Sequence, residues 1–240
     1  MITTSRARAL TVALALCLAA LSSTVPPSSA QSADPSLVLE INRIRAIDNH
    51  AHVPKVVAAG ERADDEFDAL PCPPEADAAP FARTRADNPE YVGAWRALYG
   101  YEHADMSEAH ARELLERKRR VMREQGDNYP AWVLDKLGIE VTLANRIAMG
   151  RGLDNARFRW VPYDDALLFP LDNSALKRAN PNRAFFFGRE ESLRKRYFND
   201  SNVARLPSTL AEYLARVVTP TLERERRGGA VAIKFEAAYL

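Results

Sequence analysis

Hydrophobic and polar positions along the chain form short aliphatic runs separated by helical stripes. Apolar residues three and four apart predict helices between the runs, at 107–126, 128–138, 190–198 and 209–227. The runs that predict strands are residues 44–52, 139–144, 158–163 and 230–236. Strands that alternate with helices predict a parallel sheet, either an open doubly wound sheet or the first half of a barrel.

The fourth run favours the barrel. Its alternation places Val231, Ile233 and Phe235 on a bulky face that suits packing on helices, and Lys234 and Glu236 on the opposite face. Two charged side chains at the carboxyl end of a strand would be costly in a dry core. They suit the mouth of a barrel, where active sites lie.

The expected fold is therefore an α/β TIM-type (β/α)8 barrel with only its N-terminal half present in residues 31–240. Residues 53–126 form a mostly irregular and helical insertion after the first strand. The chain ends after the fourth run, which suggests truncation and leaves an open sheet edge through which the protein could associate.

The first thirty residues predict a secretory signal peptide. Arg6 and Arg8 precede an apolar run at 9–21, and small residues at 28–30 suit cleavage. A membrane anchor is the alternative, but the run is shorter than the roughly 20 residues that a spanning helix needs. We therefore expect a periplasmic or secreted protein with no membrane span after cleavage, and with Cys72 as its one remaining cysteine.

Composition argues against a nucleic-acid partner, because the formal net charge is only +1. The basic run at 117–120 is expected to be the solvated side of its helix. His103 and His110 are likewise expected on a helix surface, so the chemistry must come from elsewhere.

The first strand ends in Asp48-x-His50-x-His52. Side chains two apart on a strand share a face, so the two imidazoles would converge where the strand ends. Imidazole is a good ligand for zinc, and Asp48 would orient an imidazole or line the site. The alternative is that two histidines merely end a strand in a polar loop.

With Lys234 near the end of the fourth run, this motif resembles the amidohydrolase superfamily, in particular the amidohydrolase-related (amidohydrolase-2) branch. Three further phrases support the resemblance: residues 132–141, 157–162 and 234–239. The resemblance implies that His50 and His52 bind one or two divalent metal ions, commonly zinc, and that metal-bound hydroxide attacks an amide, ester or lactone carbonyl of a small-molecule substrate.

The resemblance also implies a role for Lys234. In binuclear relatives such a lysine reacts with carbon dioxide and the carbamate bridges two metals, which makes Lys234 both a metal ligand and a catalytic residue. It could instead bind a substrate carboxylate, with Glu236 as the alternative metal bridge, or simply extend from a strand end into solvent. Other ligands in that family come from the fifth, sixth and eighth strands, which this chain lacks.

Two other functions stay open. The first is non-hydrolytic chemistry in the same superfamily, as in decarboxylases and uronate isomerases. The second is a non-catalytic truncated half-barrel that binds a partner through its open edge.

Overall fold

A computed structural model describes residues 34–69, 88–168 and 172–236. The expected signal peptide at 1–30 and Cys72 lie outside these residues. The chain divides into two compact units, residues 1–44 and 45–240. Among the described residues, no helix combines the length and the apolar character needed to cross a membrane.

The first unit contributes helix α1, Pro35–Arg43. Asp34 caps it, since its carboxylate accepts a hydrogen bond of 2.8 Å from the backbone N–H of Ser36. Pro35 occupies the first turn, where a missing N–H has no cost.

In the part of the chain that the structure describes, the second unit has one strand followed by three α-helices, then two strands, then five more α-helices. In chain order its elements are β1 (Ala46–Ala51), α2 (Pro89–Tyr99), α3 (Glu108–Gln125), α4 (Tyr129–Lys136), β2 (Ile139–Asn145), β3 (Phe158–Val161), α5 (Asp165–Leu168), α6 (Ser174–Ala179), α7 (Ala184–Asp200), α8 (Leu210–Tyr213) and α9 (Thr219–Arg227). A π-helical turn, Leu214–Val218, joins α8 to α9. Short 3-10 turns precede α4 and α7.

The three strands form one parallel sheet in the order β1-β2-β3. The register between β1 and β2 is broken by an extra residue: Asp48 pairs with Thr142, but Ala51 pairs with Ala144. This irregularity is a β-bulge between Asp48 and Ala51, so it interrupts the two-residue alternation within the histidine motif, at His50.

The predicted barrel is wrong for the residues that the structure describes, which contain a three-stranded sheet. The segment 230–236 lies parallel to β3 but makes only isolated bridges, Trp160 with Ala230 and Tyr163 with Lys234. From one bridge to the next the chain advances three residues on the β3 side, from Trp160 to Tyr163, but four residues in the segment, from Ala230 to Lys234. Because these numbers differ, a continuous ladder of hydrogen bonds cannot form. The expected packing of its bulky face on helices is not seen among the described residues, where Val231, Ile233 and Phe235 are 53%, 48% and 44% exposed.

The largest core cluster lies around the end of β3 and helices α5, α7 and α8. Tyr163, Leu193, Tyr197 and Val217 are buried in it, and the Tyr197 hydroxyl donates to the carbonyl oxygen of Tyr163. A second cluster joins α2 to α3, and a third packs α4 on β2 and β3. The carboxyl ends of the strands therefore pack against buried core residues, whereas β1 itself is largely exposed.

Candidate metal centre

Three nitrogen atoms meet beyond the carboxyl ends of the strands. The Nε2 atoms of His50 and His52 are 3.2 Å apart. The Nζ of Lys234 lies 3.0 Å from the same Nε2 of His50, although 184 positions separate the two residues. The structure thus brings together His50 of β1, His52 just after β1, and Lys234 of the segment beside β3.

Glu236 adds a carboxylate to this group. One of its oxygens lies 3.7 Å from the Nζ of Lys234, and its side chain is only 7% exposed. The backbone N–H of Glu236 donates to Asp165, a residue of α5. This bond fixes the end of the segment and keeps the Glu236 carboxylate beside the lysine.

Asp68 and Tyr163 hold the ring of His52 from the other side. The Nδ1 atom of His52 lies 3.1 Å from a carboxylate oxygen of Asp68 and 3.0 Å from the Tyr163 hydroxyl. A carboxylate on Nδ1 fixes the ring orientation and leaves Nε2 to face a metal. The sequence pattern placed Asp68 in an irregular acidic loop and gave no sign of this role.

Asp48 contacts the backbone of the motif. Its carboxylate accepts a hydrogen bond of 3.1 Å from the backbone N–H of His50. Asp68 is the carboxylate that contacts the ring of His52. The expected role of Asp48, to orient an imidazole or line the site, stays a prediction.

A buried ion pair holds the loop that carries Asp68. The guanidinium of Arg146, which follows β2 directly and is fully buried, contacts both carboxylate oxygens of Asp64 at 2.9 and 3.0 Å. Arg146 also donates to the carbonyl oxygen of Val53. Glu66 adds an ion pair of 2.6 Å to Arg196 of α7, so the loop is tied to both β2 and α7.

The two imidazoles differ in their electrostatic surroundings. Burial and the nearby charge of Lys234 lower the pKa of His50, which favours the neutral ring. The hydrogen bond to Asp68 raises the pKa of His52. Burial and the charge of Asp68 raise the pKa of Glu236 to about 7, despite the opposing effect of Lys234.

These residues can be tested as a metal-binding set by their spacing. Two nitrogen ligands about 2.0–2.1 Å from a tetrahedral zinc ion lie about 3.3 Å apart, and the two Nε2 atoms are separated by 3.2 Å. Within the described ranges, no group of three or more histidine, cysteine, aspartate or glutamate side chains is arranged to hold a metal. The spacing of the pair therefore fits two positions on one ion, and Lys234 is the further nitrogen that lies beside it among the described residues.

The other two histidines lie apart from this cluster. The rings of His103 and His110 stack with centroids 3.5 Å apart. His103 contacts Glu113 at 2.9 Å and His110 contacts Asp105 at 2.8 Å, both at the start of α3. They provide a natural control pair for experiments on His50 and His52.

Comparisons with known proteins give no relative. No family model, no curated protein and no solved structure matches the chain.

Proposed function

We propose that the protein is a metal-dependent hydrolase of the amidohydrolase type, acting on the amide, ester or lactone bond of a small molecule. The observation that supports this most directly is the position of the Nε2 atom of His50, which lies 3.2 Å from the Nε2 atom of His52 and 3.0 Å from the Nζ atom of Lys234. Nearby Glu236 supplies a carboxylate. Such a set suits a divalent ion, most simply zinc.

In this proposal His50 and His52 hold the metal through Nε2. Asp68 accepts the Nδ1 hydrogen of His52 and so keeps that ring in the orientation that binds. The lowered pKa of His50 keeps its ring in the neutral form that a metal requires. A divalent metal, when bound, polarises a substrate carbonyl and makes a coordinated water acidic enough to act at neutral pH.

Lys234 has two possible roles here. As a cation it would bind a carboxylate of the substrate. As a neutral amine it would add to carbon dioxide, forming a C–N bond and releasing one proton, and the resulting carbamate would be a metal ligand. Glu236 would bridge in its place if no carbamate forms.

Labelling with ¹³C-bicarbonate separates the two roles. A carbamate carbon signal in zinc-loaded full-length protein, absent from Lys234→Gln, is expected for the ligand role. The absence of that signal from the wild-type protein would exclude the carbamate role.

The function itself is tested by turnover. His50→Ala and His52→Ala should each reduce hydrolysis of a panel of esters, lactones and amides by at least about 100-fold, since loss of a ligand misplaces the metal. His103→Ala and His110→Ala serve as controls and should retain activity. Turnover that is equal in all four variants would contradict the proposal.

A further inference from the structure

A second potential site lies near β1, apart from the histidine cluster. It is a cavity of about 910 Å³ bounded by the loop after β1, helices α3 and α4, and the neighbouring strands. Its inner wall is apolar and includes Val53, Val133, Leu134 and Phe158. In the part of the chain that the structure describes, neither His50, His52 nor Lys234 lines it.

The inner wall carries one polar group that lacks a partner. Thr142 of β2 is fully buried and lines the cavity, and its hydroxyl has no hydrogen-bond partner among the described residues. A buried hydroxyl normally forms a hydrogen bond, because leaving it unpaired is costly.

The rim of the cavity is basic. Its lining includes Lys55, Lys118, Arg119, Arg123 and Arg151, against two acidic side chains. One of those acids, Asp127, is already paired with Arg151 at 2.6 Å.

Arg119 and Arg123 are the available cations of this rim. They lie four residues apart, one turn of α3, and within the described ranges neither forms an ion pair or a hydrogen bond. Two guanidinium groups above an apolar wall are complementary to a carboxylate that carries a hydrocarbon body.

We propose that this cavity binds a free medium-chain fatty acid. The carboxylate would lie on Arg119 and Arg123, and the hydrocarbon chain would pack on the apolar wall. The volume is within the range of about 300–1,000 Å³ found for small-molecule sites. The basic rim favours an anion over a neutral or cationic molecule of the same length. This site does not depend on the proposed hydrolase activity.

Calorimetric titration of the full-length chain with octanoate, octanol and octyltrimethylammonium tests the proposal. Octanoate should bind at one site, at least about tenfold more tightly than either of the other two molecules. ¹H–¹⁵N NMR spectra recorded in the same titration should show shifts at Val133, Leu134 and Thr142, which lie on the wall.

Paired variants test the role of charge. The double variant Arg119→Gln/Arg123→Gln should weaken octanoate binding by at least about tenfold and leave octanol binding unchanged. Arg112→Gln/Arg120→Gln is the matched control, because it makes the same charge change on α3 at positions outside the cavity. It should leave octanoate binding unchanged.

A third variant tests the cavity itself. Ala59→Trp introduces a large side chain at an exposed position of the lining, where the cost to folding is small. It should abolish binding of octanoate and of octanol, with an unchanged circular dichroism spectrum.

Three results would overturn the proposal. The first is no binding of octanoate. The second is equal loss of octanoate affinity in the cavity double variant and in its matched control. The third is a concentration-dependent dimer that octanoate cannot dissociate, which would identify this face as an interface between two copies of the chain.

Discussion

At the residue scale, Arg146 supports the candidate site without contacting His50, His52 or Lys234. Its guanidinium is fully buried and bound to Asp64, whose side chain is 6% exposed. Burial alone would raise the pKa of Asp64, but hydrogen bonds from Arg146 and from the Lys55 backbone lower it below its usual value. No local pattern predicts this pair, because 82 positions separate its members.

Replacement of Asp64 should be strongly destabilising. Asp64→Asn leaves a buried guanidinium without its counter-charge, so we expect a loss of about 3–5 kcal/mol in the free energy of unfolding. Asp65→Asn is the control, since Asp65 pairs with the exposed Arg62 and such pairs contribute about 0–1 kcal/mol. Urea denaturation measures both, and equal losses would contradict this role of the buried pair.

The contribution of the Asp64–Arg146 pair to the free energy of unfolding depends on pH. The pKa of Asp64 is lower in the folded than in the unfolded state, so its contribution to stability is present above the unfolded pKa. It is lost as the pH falls through the folded pKa. Acid unfolding of Asp64→Asn should therefore lack this component.

At the scale of elements, the sequence predicts the middle of the sheet better than its margins. Helix α4, Gly138 and strand β2 follow each other as the pattern indicates. The interruptions in β1 and in the segment beside β3 are not predictable in this way, because each depends on the strand that lies alongside.

Gly138 makes the sharp turn from α4 into β2. Its φ is +68°, and the described residues leave open space around the position of a Cβ, so the cost of a side chain is conformational. Gly138→Ala should cost about 1–2 kcal/mol of unfolding free energy. Gly188, inside α7 and also in open space, is the control, and Gly188→Ala should stabilise by about 0.5–1 kcal/mol. Thermal unfolding of the two variants should shift in opposite directions.

At the scale of the whole molecule, buried acids lie behind the candidate site. Asp164 and Glu225 form a carboxyl pair, and burial raises the pKa of both groups. Burial, together with the charges of Asp165 and Glu236, raises the pKa of Glu190 to about 8. The folded protein therefore holds protons at neutral pH that the unfolded chain has released.

This proton uptake predicts that stability falls as the pH rises. Glu190 has a usual pKa of 4.5 and a folded value of about 8, so the loss occurs between these two values and stops above the second. Its slope is at most about 1.4 kcal/mol per pH unit for one group. Glu190→Gln should therefore reduce the slope of the unfolding free energy against pH by up to this amount. Glu191→Gln, at an ion-paired neighbour, should retain the full slope in urea denaturation from pH 5 to 9.

The expected barrel illustrates why fold is harder to predict than site. The same alternation of strands and helices is compatible with a closed barrel and with a small open sheet, because the pattern records which faces are apolar and not how many strands pair. His50, His52 and Lys234 are nevertheless brought together, since the ends of parallel strands meet at one edge of a sheet in either architecture.

The proposed function requires that His50 and His52 together bind one divalent metal ion. X-ray absorption at the zinc edge, recorded on full-length protein loaded with zinc, tests this because it counts the imidazole ligands of the metal. Two imidazole ligands per zinc are expected in the wild-type protein and in His103→Ala. His50→Ala and His52→Ala should each show one imidazole ligand or bind no zinc. Two imidazoles in all four proteins, or no zinc bound by the wild type, would contradict the claim.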